Sequence, residues 1–134
     1  MPPRRFAGKV AATANEPAMT AIKPEARDLL RALERQQPGT TADLLRLFAV
    51  DAPVLLQRLY GAHAMRDAEG LAQAAHYLRS SALALGLADV ETGALALERD
   101  AVAALDDPGT RARLDDLRGR VESAVRELGG LIGG

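Results

Sequence analysis

Residues 71–86 read L-A-Q-A-A-H-Y-L-R-S-S-A-L-A-L-G, and their spacing separates the inward face of a helix from its outward face. Leu71, Ala75, Leu78, Ala82 and Leu85 fall alternately four and three residues apart, the seam a helix presents to its neighbours in a bundle. At about 100° per residue, His76 lies roughly 140° around the helix from the mean direction of that seam, so it is expected to face water. Glu69, Gln73, Ser80 and Leu83 share its side, and Arg79 stands three residues further on. Asp67 is placed to cap the start of this helix, and Gly86 to end it in the left-handed conformation.

Working outward, the link from Gly86 to Asp89 is short enough to imply that the next helix, about 89–105, lies antiparallel beside the first. Its seam is Val90, Ala94, Leu97, Ala101 and Ala104. Asp106-Asp107-Pro108-Gly109 then turns the chain into a last helix whose seam is Leu114, Leu117, Val121, Ala124, Leu128 and Leu131. Gly129, Gly130, Gly133 and Gly134 imply a frayed end. On the other side, Thr40 or Thr41 can cap a helix reaching about Met65, with Leu44, Phe48, Leu55, Leu59 and Ala62 inward. Pro53 inside it predicts a kink near Ala49, and Asp51 offers a restart. Leu45 and Leu56 on one flank, with Leu47 and Val54 on the other, exceed a single seam and leave apolar surface for a partner. Pro24 to Gln36, ended by Pro38-Gly39, reads as a lid helix with Leu29, Leu30 and Leu33 on one side.

The expected architecture is all-α: an up-and-down antiparallel four-helix bundle, residues 24–134, with an additional N-terminal lid helix. Residues 1–23 carry three of the seven prolines and no sustained period, and read as a flexible basic arm of net charge +3. The remainder carries −4, and aromatics make up only 3% of the chain, which argues against a nucleic-acid surface. With no cysteine there is no disulfide framework or thiolate metal site. No apolar run approaches the roughly 18 residues that cross a bilayer, so a cytoplasmic chain without a membrane partner is expected.

His76, Arg79 and Ser80 are neighbours one turn apart. An imidazole in water, with a pKa of about 6.5, is mostly neutral at pH 7 and offers a nucleophilic nitrogen without an activating base. A guanidinium and a hydroxyl beside it supply charge and hydrogen bonds to an anion carried on that nitrogen, and a phosphoryl group is the anion that fits. Leu83, apolar on the same face, suits a docking surface.

The run A-H-Y-L-R-S-S-A-L-A-L-G resembles the signature of histidine phosphotransfer (HPt) domains, the single-histidine intermediates of phosphorelays. That signature is His, any residue, Leu, Lys, Gly or Ser, Ser, a small residue, two variable positions, an apolar residue and Gly. His76, Leu78, Arg79, Ser80, Ser81, Ala82, Leu85 and Gly86 fall onto it in register. Leu44 to Pro53 resembles the family's preceding helix and Leu95 to Glu98 its following one, so the resemblance spans about Pro24 to Leu128. It implies that His76 accepts a phosphoryl group, on Nε2 by family analogy, and that Arg79 and Ser80 attend it. Glu69, Gln73 and Leu83 would form the docking face.

The partners it implies are a response-regulator receiver domain and a hybrid sensor histidine kinase. It implies a monomeric phosphocarrier with no cofactor of its own, Mg²⁺ belonging to the receiver. Arg79 departs from the usual Lys, Ser80 from the common Gly, and Leu83 is larger than the small residue often found there. Nothing in the chain resembles a histidine-kinase ATP lobe. The competing readings are a helical adaptor that binds a kinase or receiver without turnover and, more weakly, a metal site from His63 and His76, which fall on different helices.

Overall fold

The computed structural model describes residues 22–133, and among them it holds helices and no strand. The helices are α1 (Pro24–Gln36), α2 (Thr40–Ala64), α3 (Ala68–Leu85), α4 (Ala88–Arg99), α5 (Ala101–Ala104) and α6 (Thr110–Gly133). Residues 1–21 and 134, and the side chains of 131–133, lie outside the description. Leu131 of the expected last seam and most of the expected arm fall there.

The apolar seams meet in one core. All five seam residues of α3 are buried, with Leu78 at 0% exposure, and Phe48, Leu55 and Leu59 of α2 join them. Val90, Ala94 and Leu97 of α4, Ala101 and Ala104 of α5, and Leu114, Leu117, Val121, Ala124 and Leu128 of α6 complete it. Leu44 and Ala62 pack against the core only in part. α3 packs against α2 and α4, both of which pack against α6, so these four contacts close a ring, while α1 packs on α2. Burying a leucine of this kind contributes roughly 1.5–3 kcal/mol. No helix of the described residues is long and apolar enough to cross a membrane.

The α3 boundaries follow their caps. The Asp67 carboxylate accepts the Gly70 amide at 2.9 Å, and Gly86 ends the helix at φ +70°. Gly86 also has a task that its capping role does not reveal. Its carbonyl accepts the Lys23 amide at 2.9 Å, and a Cβ on it would overlap the Ala26 side chain, so the end of α3 is the seat of α1.

Several expectations are corrected. The last two residues of the arm assigned to 1–23 belong to the fold: Ile22 is buried in the core and Lys23 precedes α1 as its N-cap residue. Neither threonine caps α2. Gly39 at φ +95° is its N-cap residue, and no side chain caps it. The Thr41 hydroxyl is buried and donates instead to the Leu30 carbonyl of α1 at 2.9 Å, because a buried hydroxyl must spend its hydrogen bond where an acceptor is enclosed with it. Helix α2 passes through Pro53 as the single helix expected, and the restart that Asp51 offered is not taken. The helix expected over 89–105 is divided at Asp100, where φ is −100° and ψ 15°. Hydrogen bonds from the Asp100 amide to Ala96 and from Ala104 to Asp100 carry the ladder across the break, which leaves the buried seam in phase. The Asp100 carboxylate turns to Arg113 of α6, 3.5 Å away. α6 continues through Gly129 and Gly130 to Gly133.

Candidate functional site

The site lies where α4 folds back along α3. Gly86 and Leu87 make a two-residue link, and the fully buried Leu87 ties it down. His76 stands ten residues before Gly86 and Glu98 twelve after it, roughly 15 and 18 Å along the two helices at 1.5 Å per residue. The two side chains are therefore nearly level.

Glu98 Oε2 is 3.0 Å from His76 Nδ1, and Glu98 Oε1 accepts the Arg79 Nε–H at 2.8 Å. Arg79 Nη2 also lies 3.0 Å from His76 Nδ1. The His76 side chain is 47% exposed, and the Arg79 and Glu98 side chains about half that. The Arg79 hydrogen bond is the main cause holding the Glu98 carboxyl below its ordinary value. The His76 hydrogen bond acts in the same direction against a partial desolvation.

Nδ1 cannot serve both neighbours at once. A proton on it donates to the carboxylate; without that proton its lone pair accepts from Arg79 but then faces an anionic oxygen at 3.0 Å. Arg79 already has its Nε–H on Glu98, and its Nη2 protons can turn to water. The arrangement that avoids two acceptors facing each other carries the proton on Nδ1. In that tautomer the lone pair is on Nε2, on the far side of the ring.

Glu69, Gln73, Ser80 and Leu83 are exposed on the outward side of α3, Leu83 to 51%. They are a stripe rather than a cluster, since Glu69 and Leu83 are separated by about 21 Å of helix. Gln73 and Tyr77 line a groove between α3 and α2 with Arg58 and Met65, while the Tyr77 ring meets the His76 ring edge-on at 6.0 Å. Arg79 does not lie on the Nε2 side, where an anion on the ring was expected to need it; it is turned to Glu98 and Nδ1. Glu98 was missed by the sequence reading. The available signal was the short link, because counting equal distances from Gly86 in both directions brings this acid level with His76. Among the described residues no group of three or more His, Asp or Glu side chains could hold a metal ion, and His63 lies on α2, in the last turn, apart from the His76 contacts.

A family model for the Hpt domain matches residues 43–128, well over half of the chain and inclusive of His76, Arg79 and Glu98. Comparison with curated proteins and with solved structures gave no match. An all-helical core, a solvent-facing histidine held by an acid on the following helix, and a family match across α2 to α6 agree: the chain belongs to the Hpt domain family.

Proposed function

We propose that His76 is the phosphoacceptor of a phosphorelay intermediate, exchanging a phosphoryl group with the aspartate of a receiver domain on a response regulator or a hybrid sensor histidine kinase. Membership of the family implies histidine phosphotransfer in phosphorelays. The observation that supports His76 and its Nε2 atom is the contact between Nδ1 and Glu98, which engages one nitrogen of a half-exposed ring and leaves the lone pair on the other.

The Nε2 lone pair attacks phosphorus of the partner's aspartyl phosphate; the P–N bond forms as the P–O bond breaks and the carboxylate leaves on the partner. The ring, still carrying its Nδ1 proton, becomes cationic, and Glu98 sits 3.0 Å away to balance that charge. Arg79 fixes the acid through its Nε–H, and its Nη2 group, 3.0 Å from Nδ1, is the cation beside the ring when the anion arrives, with Ser80 one turn on. Glu69, Gln73 and Leu83 form the docking face. Mg²⁺ in the receiver supplies charge neutralisation on the partner's side, and this chain has no ATP-dependent kinase activity of its own. The ring of α2, α3, α4 and α6 is an up-and-down antiparallel bundle that holds the histidine rigidly, with α1 as its lid.

The test is to incubate the protein with a panel of receivers carrying labelled aspartyl phosphate. Acid-labile label should pass to the wild type and not to His76→Gln. Label that still accumulates on His76→Gln would show that another residue is the acceptor.

A further inference from the structure

Helix α2 carries a second stripe, centred about 100° around the helix axis from the seam it gives to the core. Asp43, Leu47, Val50, Val54, Arg58, Gly61 and Met65 fall within about 80° of one another around the helix axis. Leu47, Val50, Val54 and Met65 are among the large hydrophobic side chains that remain exposed, Val50 at 66%. Asp43 is paired within its own helix to Arg46, whereas Arg58 has no ion-pair partner among the described residues. Thus an apolar centre is bounded by an acid at one end and an unpaired cation at the other.

That order is self-complementary about a two-fold axis. When two copies of α2 are laid antiparallel with the axis between residues 50 and 51, Leu47 of one meets Val54 of the other, and the two Val50 side chains meet at the centre. Asp43 then faces Arg58 at both ends. Moving the axis about one turn to Val54 would place Val50 against Arg58 and Leu47 against Gly61, and a parallel pair would bring Asp43 against Asp43. One register alone satisfies both the charges and the apolar groups.

We propose that this chain self-associates as a two-fold dimer through the outward face of α2, in the register that pairs Asp43 with Arg58. This departs from the monomer expected from the sequence. It does not depend on His76 being the phosphoacceptor, because the ring turns toward Glu98 of α4; Arg58 and Met65 do share a groove with Gln73, so a docked receiver and a second copy would compete at that end of the stripe. A single helix pair buries less than the roughly 800 Å² per partner of a standard interface, so the dimer is a weak one.

Sedimentation of the full chain over roughly 10 μM to 1 mM reads the equilibrium directly. The wild type should move from monomer to dimer in that range. Val50→Asp should abolish the shift, with far-ultraviolet circular dichroism unchanged because the position is exposed. Asp43→Lys and Arg58→Glu should each weaken association by about tenfold or more, and an equimolar mixture of these two variants should regain wild-type behaviour, since their charges are then complementary at both ends. A monomer throughout the range, or a dimer indifferent to both reversals, overturns the proposal. A dimer that appears only after residues 1–21 are removed would also overturn it, and would assign the stripe to that segment.

Discussion

Glu98 and Glu127 each lie within reach of an arginine, and their surroundings drive them in opposite directions. Glu98 stands at a water-facing site, accepts the Arg79 Nε–H at 2.8 Å, faces the His76 ring, and is held below the ordinary carboxylate value. Glu127, on α6 beside the start of α1, has a side chain only 11% exposed and lies 3.8 Å from Arg27. Neither of its oxygens has a well-formed hydrogen bond among the described residues, and burial pushes its carboxyl up, with Arg27 and the nearby Ile22 amide offsetting only part of the cost. The contrast teaches that proximity of opposite charges does not settle which way a carboxyl shifts: hydrogen bonds to the charged form lower it at the His76 site, and desolvation raises it beside α1. The relay role proposed for His76 needs the first arrangement, since the acid must be anionic to hold the proton on Nδ1.

The largest expected effect concerns what the surface network does not supply. Leu78→Ala, two residues from His76 but wholly buried, should lower stability by roughly 2–5 kcal/mol in denaturant melts. A harmless Leu78→Ala would mean that pairing and not packing holds α3. Glu98→Gln should leave the melt nearly unchanged and slow phosphoryl exchange by about 10- to 100-fold, because an amide balances no charge on the ring. An unaltered rate would detach the acid from the chemistry. Glu127→Gln should be neutral or stabilising by about 1 kcal/mol at pH 7, since it removes a poorly satisfied buried charge. Arg79→Ala should cost the fold less than about 1 kcal/mol, being a partly exposed pair, while exchange slows.

Measured against pH, the two acids should leave opposite signatures. The Glu98 contribution is fully present above its unfolded value, near 4.5, and is lost as pH falls through the lower folded value. For Glu127 the neutral form is favoured in the fold, so stability is lost as pH rises from about 4.5 through the raised folded value. Glu98→Gln should therefore flatten the acid limb of a stability profile, and Glu127→Gln should flatten the fall above it. Matching slopes for the two variants would abolish the distinction drawn here.

The relation between sequence and structure differs from one element to the next. In α3 the alternating four-and-three spacing, Asp67 and Gly86 are all local signals, and they gave both its limits and its inward face. Thr41 was misread as a cap because its partner, the Leu30 carbonyl, lies eleven residues away and across a helix packing, beyond any local rule. The division at Asp100 was also illegible, since the buried positions on either side keep one period. Ile22 escaped notice because a single apolar residue beside a proline carries no periodicity of its own.

By itself the sequence determined that the chain is helical and which side of α3 meets the core, because both follow from 3.6 residues per turn and from transfer of apolar side chains out of water. It also placed His76, Ser80 and Leu83 on the outer side of that helix. The tertiary structure alone decided that Glu98 sits against the ring, that Arg79 turns to that acid, and that Gly86 seats α1. Each of these is a contact between elements whose separation along the chain is closed only when the helices pack, and hydrogen bonds of about 3 Å depend on that packing and not on local spacing.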